Sequence, residues 1–291
     1  MIEQANDKTK QEVRRMWKSC FNDSDEFLDL YFSEKYRNEN TLIYFEENQA
    51  VASLQMLSYQ FTFCGDEIPV SYVSGACTLH KYRNCGCMKK MMTAAFSLMH
   101  KRDILISILI PAEAWLYDYY TQYGYETVFE ADESEIPLSE ILKKSAGDLN
   151  VAYQFFDKIF RAKDFCVQKT KSDFITIVKD LEMDNDFPRK TNLSGMARII
   201  DAEKLLAIFA KKYPEKNFSF QLSDKLLPEN NGIYEIKNGH CQKIENAQKE
   251  TLVLNENLLC RLLFGFRLGE LSEKLTVHFE SHQPIMNLML E

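Results

Sequence analysis

One stretch of the chain, residues 71–92 with the sequence SYVSGACTLHKYRNCGCMKKMM, constrains the fold most strongly. A β-rich apolar run ends there in a basic, glycine-bearing turn, and apolar residues then resume at helical spacing, so the order is strand, loop and helix. The first N–H groups of a helix are free, and the helix dipole places partial positive charge beside them. With Lys81, Arg83 and Lys89 nearby, and Gly86 allowing close approach, this segment predicts a pyrophosphate site. The alternative for the stretch by itself is an ordinary solvated turn.

Length and composition indicate a folded protein of about two domains. The chain has 291 residues, of which 45% are hydrophobic and 12% aromatic, enough for packed cores. Its 35 basic and 43 acidic residues give a net charge of −8, which argues against nucleic acid or an anionic membrane as a partner and favours cationic partners. We find no signal-like segment and no apolar run near the roughly 20 residues that span a bilayer, so we expect a cytoplasmic protein.

The cysteines and histidines give little indication of a metal or redox centre. The eight cysteines are scattered, many inside apolar runs, which favours buried thiols over a disulfide framework. Cys85 and Cys87 form only a C-x-C pair, and no second pair stands at ligand spacing, so we predict no metal site. Cys77 is interpreted as a small strand hydrophobe rather than an acyl carrier, and His80 as a loop residue.

The first 130 residues are patterned as a mixed α/β unit. Asp23 or Ser24 can cap a second helix, and Pro111 ends a continuous apolar strand. The predicted elements in order are helices over 8–20 and 24–36, strands over 41–46, 50–63 and 68–78, a helix over 88–102, a strand over 104–110, a helix over 114–123 and a strand over 125–129.

Two motifs in this unit resemble the GNAT superfamily of N-acetyltransferases. The spacing from Arg83 to Met88 resembles its R/Q-x-x-G-x-G/A acyl-CoA loop, with Cys87 in place of the usual glycine or alanine. YTQYGYE at residues 120–126 resembles its Y-x-x-x-G-F-E signature, and the element order is that of a GNAT fold. More closely, VSYVSGACTLHKYRNCGCMKKMM and LIPAEAWLYDYYTQYGYE resemble the Eis (enhanced intracellular survival) branch, over roughly residues 3–130.

The rest of the chain is predicted to form a connector and a second domain. Helical patterning dominates the connector, with one strand-like run, FITIV at 174–178, and the charged stretch 182–192, broken by a proline, marks a boundary. GMARIIDAEKLLAIFA at 195–210 resembles the opening of the sterol-carrier-protein-like domain in which Eis-like proteins end. Elements predicted in the last part are a helix over 201–212, strands over 217–223 and 232–237 and a helix over 255–266.

The resemblance therefore implies an α+β protein. A GNAT acyl-CoA fold, with a mixed, mostly antiparallel sheet flanked by helices, would be followed by a sterol-carrier-protein-like α+β domain. The implied domains are a GNAT domain at 1–131, a mainly helical connector at 132–190 that is truncated relative to larger Eis-like proteins, and the sterol-carrier-protein-like domain at 191–291.

The GNAT resemblance also implies an acetyl-CoA site with a role for each matched residue. Backbone N–H groups around Cys77, Thr78 and Leu79 would bind the pantetheine arm and the acetyl carbonyl. The residues that would take the pyrophosphate are Arg83, Asn84, Gly86, Cys87 and Met88. Tyr120 stands at the general-acid position; with reference pKa values of about 10 for tyrosine and about 8.5 for a thiol, proton donation is uphill by about 2 kcal/mol. The alternative is that Tyr120 only packs, as its tyrosine neighbours do.

The chain stops at the apolar segment PIMNLMLE, which we expect to be tucked into the protein. Resemblance to Eis-like enzymes implies that the terminal carboxylate of Glu291 reaches the active site and helps to deprotonate the amine. The alternative is that the tail only completes a sheet of the last domain.

The function implied is direct transfer of acetyl from acetyl-CoA to a primary amine, with no metal. Aminoglycosides, polyamines and lysine side chains are the implied acceptors, and the negative net charge of the chain is compatible with each. No nucleic acid or membrane partner is expected, and a homo-oligomer is left open. The alternative from another class is a non-catalytic acyl-CoA or lipid-binding protein.

Overall fold

A computed structural model describes residues 1–131, 138–183, 194–246, 252–286 and 289–290. The helices are α1 (Lys10–Phe21), α2 (Asp25–Glu34), α3 (Cys87–Lys101), α4 (Leu116–Thr121), α5 (Leu138–Lys144), α6 (Leu149–Phe160), α7 (Lys171–Met183), α8 (Ala202–Lys212), α9 (Glu256–Leu263) and α10 (Glu273–Thr276). The strands are β1 (Ile2–Gln4), β2 (Thr41–Glu46), β3 (Gln49–Phe63), β4 (Asp66–Thr78), β5 (Ile106–Leu109), β6 (Glu126–Phe129), β7 (Cys166–Gln168), β8 (Gly195–Ile199), β9 (Phe218–Ser223), β10 (Gly232–Lys237), β11 (His240–Ile244) and β12 (Leu252–Asn255). The predicted helices and strands up to residue 129 are confirmed, with small shifts at their ends.

The larger sheet has eight strands in the order β1-β2-β3-β4-β5-β8-β6, with β7 paired to β3. Only β4 and β5 are parallel among the described pairs of this sheet, because the helical crossover α3 joins them. Strand β8 lies between β5 and β6, where Ile199 pairs with Ile106 and Ala197 pairs with Glu126. A strand from the last third of the chain therefore completes the sheet that the first 130 residues begin.

The placement of β8 bears on the predicted domains. The boundaries at 131/132 and 190/191 fall on residues outside the described ranges, at least on one side, and the division into three parts stays a prediction. Strand β8, just beyond residue 191, belongs to the larger sheet rather than to the C-terminal one, because both of its edges are paired with N-terminal strands.

Strands β4 and β5 separate after a short stretch of pairing. Their registered pairs cover only residues 70–72 of β4, whereas β4 continues to Thr78. Between the pairs Gln55–Ser74 and Ser53–Cys77, a bulge gives β4 one extra residue. The last third of β4 therefore has β3 on one side and, among the described residues, no paired strand on the other. We call the space beside this unpaired edge the groove.

The bulge depends on Gly75. This residue has a φ of +55°, in the left-handed region that glycine adopts without strain. A Cβ at Gly75 would lie 2.2 Å from the ring of Trp17 on α1, so the helix packs directly on the backbone of the bulge.

Different helices cover the two faces of the larger sheet. Alternate residues of β3 belong to different hydrophobic clusters, with Leu57 in one and Met56 in the other, as strand alternation requires. Helices α1 and α2 cover the first face, and the hydroxyl of Ser24 caps α2 by accepting the N–H of Phe27 at 3.0 Å. Helices α3 and α4 cover the second face, with Phe96 fully buried.

The strand predicted at residues 174–178 is wrong, because those residues lie in α7. Thr170 and Asp173 form a capping box: the N–H of Asp173 donates to Thr170 Oγ1 at 3.1 Å, and the N–H of Thr170 donates to Asp173 Oδ2 at 2.8 Å. The apolar residues that follow recur at helical spacing and are buried, namely Phe174, Ile177, Val178 and Leu181. The cap and the periodicity outweigh the β-propensity of the FITIV run.

A smaller sheet with the order β11-β10-β9-β12 carries the C-terminal core together with α8 and α9. Its buried residues, such as Phe220 and Tyr234, belong to the same hydrophobic cluster as α1 and α2. Phe264 stacks on Phe61 of β3 with ring centroids 5.4 Å apart. The predicted α+β class is confirmed. None of the helices in the described ranges has the length and apolar character needed to cross a membrane.

We expect Gly75→Ala to lower the free energy of unfolding by about 2–5 kcal/mol, since it adds left-handed strain to a clash with Trp17. Gly147→Ala is the matched control: Gly147 also has a positive φ of +79°, but no atom lies within 4 Å of its would-be Cβ, so only about 1 kcal/mol should be lost. Urea denaturation measures both. Equal losses would contradict the close packing of α1 on the bulge.

Candidate active site

The loop between β4 and α3 ends in a sharp turn. Asn84 and Gly86 have φ values of +61° and +75°, and Gly86 is the N-cap of α3. No atom of the described chain lies within 4 Å of the position of a Cβ on Gly86, so the approach to the helix is open. The first helical hydrogen bond joins the N–H of Lys90 to the carbonyl of Gly86 at 3.2 Å. The N–H groups of the preceding turn therefore have no partner within the helix.

The surroundings of this turn are basic. Lys81, Arg83 and Lys89 are exposed, and the first turn of α3 contains no acidic residue. The side chain of Cys87 is buried in the hydrophobic cluster beneath α3, so only its backbone N–H is directed to the loop. A cluster of free N–H groups and cations of this kind suits a phosphate group.

The open edge of β4 leads into this loop. The N–H of Leu79 donates to the carbonyl of Val51 at 2.9 Å, and Cys77 pairs with Ser53. In an antiparallel strand the backbone N–H and C=O groups of successive residues point alternately toward the partner strand and away from it. Because those of Cys77 and Leu79 point toward β3, those of Thr78 face the groove. The expectation that the N–H of Leu79 is available to a ligand is therefore corrected, because β3 already uses it.

A residue that the sequence analysis did not select, Cys20, lies against the same edge. Its thiol contacts the carbonyl of Thr78 at 3.6 Å, and Nε of Arg83 donates to that carbonyl at 3.2 Å. A hydrogen bond with the Cys77 thiol, together with Arg83, lowers the pKa of Cys20 to about 7. The same thiol contact and burial raise the pKa of Cys77. Only the fold brings Cys20 and Thr78 together, since 58 positions separate them.

Tyr120 differs from the other tyrosines around α4. The Tyr117 hydroxyl donates to the Ser194 carbonyl at 2.7 Å, the Tyr123 hydroxyl donates to that of Tyr119 at 3.1 Å, and the Tyr125 hydroxyl lies 2.6 Å from that of Ser107. The Tyr120 hydroxyl has no hydrogen-bond partner among the described residues. Its side chain is 9% exposed, and burial raises its pKa to about 12, so it is protonated at neutral pH.

Glu291 lies outside the described residues, but part of the tail before it is described. The N–H of Ile285 donates to Phe165 O at 2.8 Å, and its carbonyl accepts the N–H of Val167 at 2.9 Å, which places the tail beside β7. A Cβ on Gly195 would lie 2.0 Å from the methyl carbon of Met286, so the tail packs against the first residue of β8. The next residue back, Ser194, accepts the hydrogen bond of Tyr117. The tail therefore approaches the end of β8 that contacts α4.

No group of three or more His, Cys, Asp or Glu residues able to hold a metal ion occurs within the described ranges.

Comparison with known proteins agrees with this geometry. Residues 1–128 match the family model described as an acetyltransferase (GNAT) domain. A search of curated proteins gives no significant match. Among solved structures, a GCN5-related N-acetyltransferase from Kribbella flavida is 13% identical with a TM-score of 0.69, over 98% of this chain and 96% of that one.

Two further structures are similar over nearly the whole chain. A probable N-acyltransferase from Enterococcus faecalis V583 is 16% identical, covering 99% of this chain and 97% of that one, with a TM-score of 0.64. Eis1 from Mycobacterium abscessus is 10% identical, covering 99% and 98%, with a TM-score of 0.63. At these identities the likeness concerns the fold. Residues 1–128 thus match an acetyltransferase (GNAT) domain, and the whole chain shares its fold with structures of N-acetyltransferases of the GNAT type.

Proposed function

We propose that this protein transfers the acetyl group of acetyl-CoA directly to a primary amine. The observation that carries the proposal is one track of backbone: the edge of β4 that extends beyond its pairs with β5 to Thr78, followed by the loop that ends at Gly86 and the first turn of α3. Acyl-CoA is long and has an amide-bearing arm at one end and a pyrophosphate toward the other. The track offers hydrogen-bonding groups to an extended arm and then a cationic helix terminus to a pyrophosphate.

The roles of the loop residues follow from their positions. Thr78 would bind the pantetheine arm through its backbone, with Cys77 and Leu79 holding that segment to β3. Gly86 leaves room for the phosphates to reach the N–H groups of Cys87 and Met88. Arg83 and Asn84 lie on the exposed rim of the loop, where a cation and an amide can bind phosphate oxygens.

Tyr120 would serve as the general acid. Its hydroxyl is protonated and is not engaged by another described group, and the residue retains 9% exposure, so it can donate to a departing thiolate. Against a thiol of pKa about 8.5 in water, transfer from a group of pKa about 12 is uphill by about 5 kcal/mol. Desolvation of the thiolate in the same cleft raises its basicity and reduces this difference.

The terminal carboxylate of Glu291 would receive a proton from the amine, directly or through water, or bind and orient its ammonium form. Packing of Met286 on Gly195, beside the segment that Tyr117 contacts, supports this placement of the tail. An α-carboxyl group with a reference pKa near 3.5 is a weak base, so positioning of the amine would be its larger contribution.

The proposed acceptors are aminoglycosides, polyamines or lysine side chains, which share a primary amine that is cationic in water. The net charge of −8 favours the approach of such molecules. We also propose an Eis-type arrangement in which the C-terminal α+β part is a sterol-carrier-protein-like domain; full-length likeness to Eis1 supports it at the level of fold.

Gly86→Asp should abolish binding of CoA, because it places a side chain and a negative charge where phosphate oxygens must approach backbone N–H groups. Arg83→Ala should weaken binding by about tenfold, as expected for one exposed charge-assisted contact. Isothermal titration calorimetry with CoA measures both affinities. Wild-type affinity in Gly86→Asp would show that the phosphate site lies elsewhere.

Thiol release from acetyl-CoA across a panel of aminoglycosides, polyamines and lysine peptides tests the activity itself. With the best amine, Tyr120→Phe should reduce kcat by about 100-fold or more and leave CoA affinity nearly unchanged, since the hydroxyl acts only in the transition state.

Tyr123→Phe is the matched control, because the Tyr123 hydroxyl is engaged with Tyr119 and should matter less. Equal losses in the two variants would mean that the tyrosines act by packing. Tight CoA binding without turnover on any amine would favour a non-catalytic acyl-CoA-binding protein.

Deletion of Glu291 alone should lower kcat at least about tenfold while Tm changes little, because the carboxylate moves back by one residue and the burial of Met289 and Leu290 is retained. Glu291→Gln, which keeps the terminal carboxylate in place, should stay close to wild-type activity. A deletion variant that turns over at the wild-type rate would limit the tail to a structural role.

A further inference from the structure

Helix α4, which carries Tyr120, is only six residues long, Leu116–Thr121. A helix of this length has no stability of its own, because nucleation uses most of its hydrogen bonds. The carbonyls of its last residues are bonded by the turn that follows, since the N–H of Tyr123 donates to the carbonyl of Tyr120 at 2.9 Å and the N–H of Gly124 donates to that of Thr121 at 3.0 Å. The position of the Tyr120 hydroxyl therefore depends on what holds the end of α4.

Asn257 on α9 adds a contact that links the end of α4 and its turn to another part of the chain. Its Nδ2 donates to the carbonyl of Thr121, the last residue of α4, at 3.3 Å. The same Nδ2 donates to the carbonyl of Tyr125 at 2.7 Å, just before β6. Both partners are acceptors, which defines the orientation of the amide. The side chain of Asn257 thus joins the end of α4, the helix that carries Tyr120, to the start of β6.

The turn between these two carbonyls is enclosed by the same part of the chain. Gly124 has a φ of +83°, and a Cβ there would lie 1.8 Å from Nη1 of Arg198 and 2.7 Å from Cγ of Glu256. Arg198, on β8, is fully buried, paired with Asp224 at 2.7 Å. Its guanidinium also lies 4.7 Å from the ring centroid of Phe96 on α3. The turn therefore packs against the side chains of Arg198 and Glu256, which leave it little freedom to move.

Helix α9 holds Asn257 in a defined position relative to β8 and this turn. The side chain of Asn255 caps the helix by accepting the N–H of Leu258 at 2.8 Å. The Cys260 thiol donates to the carbonyl of Ala197 in β8 at 3.4 Å, and Leu259 and Cys260 are fully buried. The amide of Asn257 is consequently fixed on the sheet that α4 must face.

We infer that Asn257 is a positioning residue for acetyl transfer, which holds the end of α4 so that the Tyr120 hydroxyl meets the reacting thioester. This inference rests on the proposed acid role of Tyr120. It assigns the C-terminal part of the chain a share in catalysis through one side chain, 136 positions from the carbonyl that it binds.

A double-mutant cycle in the full-length chain tests the inference, with kcat and the KM for acetyl-CoA measured for the wild type, Asn257→Ala, Tyr120→Phe and the double variant. Asn257→Ala should lower kcat by about tenfold and leave the KM for acetyl-CoA within about twofold, since small displacements of a catalytic group have effects of this order. In the Tyr120→Phe background the same substitution should have no further effect on kcat. Asn257→Asp, which replaces the donor by an acceptor facing two carbonyls, should lower kcat more than Asn257→Ala.

Asp148→Ala is the control for a loss of stability alone, because it removes the cap of α6, whose buried residues belong to a different hydrophobic cluster from Tyr120. It should lower Tm as much as Asn257→Ala or more and keep wild-type kcat. If Asn257→Ala is poorly folded, Asn257→Gln retains the amide donor and should recover part of kcat. Equal losses of kcat in both Tyr120 backgrounds, or wild-type kcat in Asn257→Ala and Asn257→Asp, would overturn the inference while leaving the acid role intact. Wild-type kcat in Tyr120→Phe would instead contradict the acid role, and the positioning role with it.

Discussion

The open edge in the middle of the larger sheet is the constraint on which the candidate site depends. A strand that loses its neighbour leaves backbone N–H and C=O groups without partners, an arrangement that proteins normally avoid inside a sheet. Beyond Tyr72, β4 is in this condition, and the bulge at Gly75 is kept in place by the ring of Trp17. The carbonyl of Thr78 is satisfied by side chains, Arg83 and Cys20, which a ligand amide can displace or complement. The groove is therefore maintained by packing on one face of the sheet while its polar edge stays accessible.

The C-terminal part contributes to this arrangement through buried polar contacts rather than through a separate core. The pair of Arg198 and Asp224 is fully buried, and the Nε and Nη1 atoms of Arg198 have no hydrogen-bond partner in the described part of the chain. Desolvation offsets most of the attraction in such a pair, so its net contribution to stability is small, but loss of either partner alone leaves a buried charge and is strongly destabilising. The pair thus serves mainly to define one arrangement of β8 against the turn at Gly124.

Local patterns in the sequence were enough to predict the hairpin of β2 and β3, the loop before α3 and the helices on either side of it, because caps, turns and periodicity act over a few residues. The helix at 174–178 could also have been predicted from the sequence, since Thr170 and Asp173 have the spacing of a capping box. The orientation of the Leu79 N–H could not be predicted, because a bulge reverses which backbone groups of the following residues face the partner strand. The bulge itself depends on packing against Trp17. The contacts of Cys20 with Thr78 and of Asn257 with Thr121 link distant positions, and no local sequence pattern predicts them.

The insertion of β8 also sets an order of events as the chain is made. When residue 129 has left the ribosome, β5 and β6 exist without the strand that lies between them, and two unpaired apolar edges remain until residues 195–199 emerge. At roughly 5–20 residues per second this interval lasts several seconds, long enough for exposed edges to join wrong partners. Pairings this distant also close late in folding, since a large loop must be ordered first. The N-terminal part is thus a nascent unit that needs residues 195–199 before its sheet is completed, and a chaperone that shields strand edges would be most useful to it in that interval.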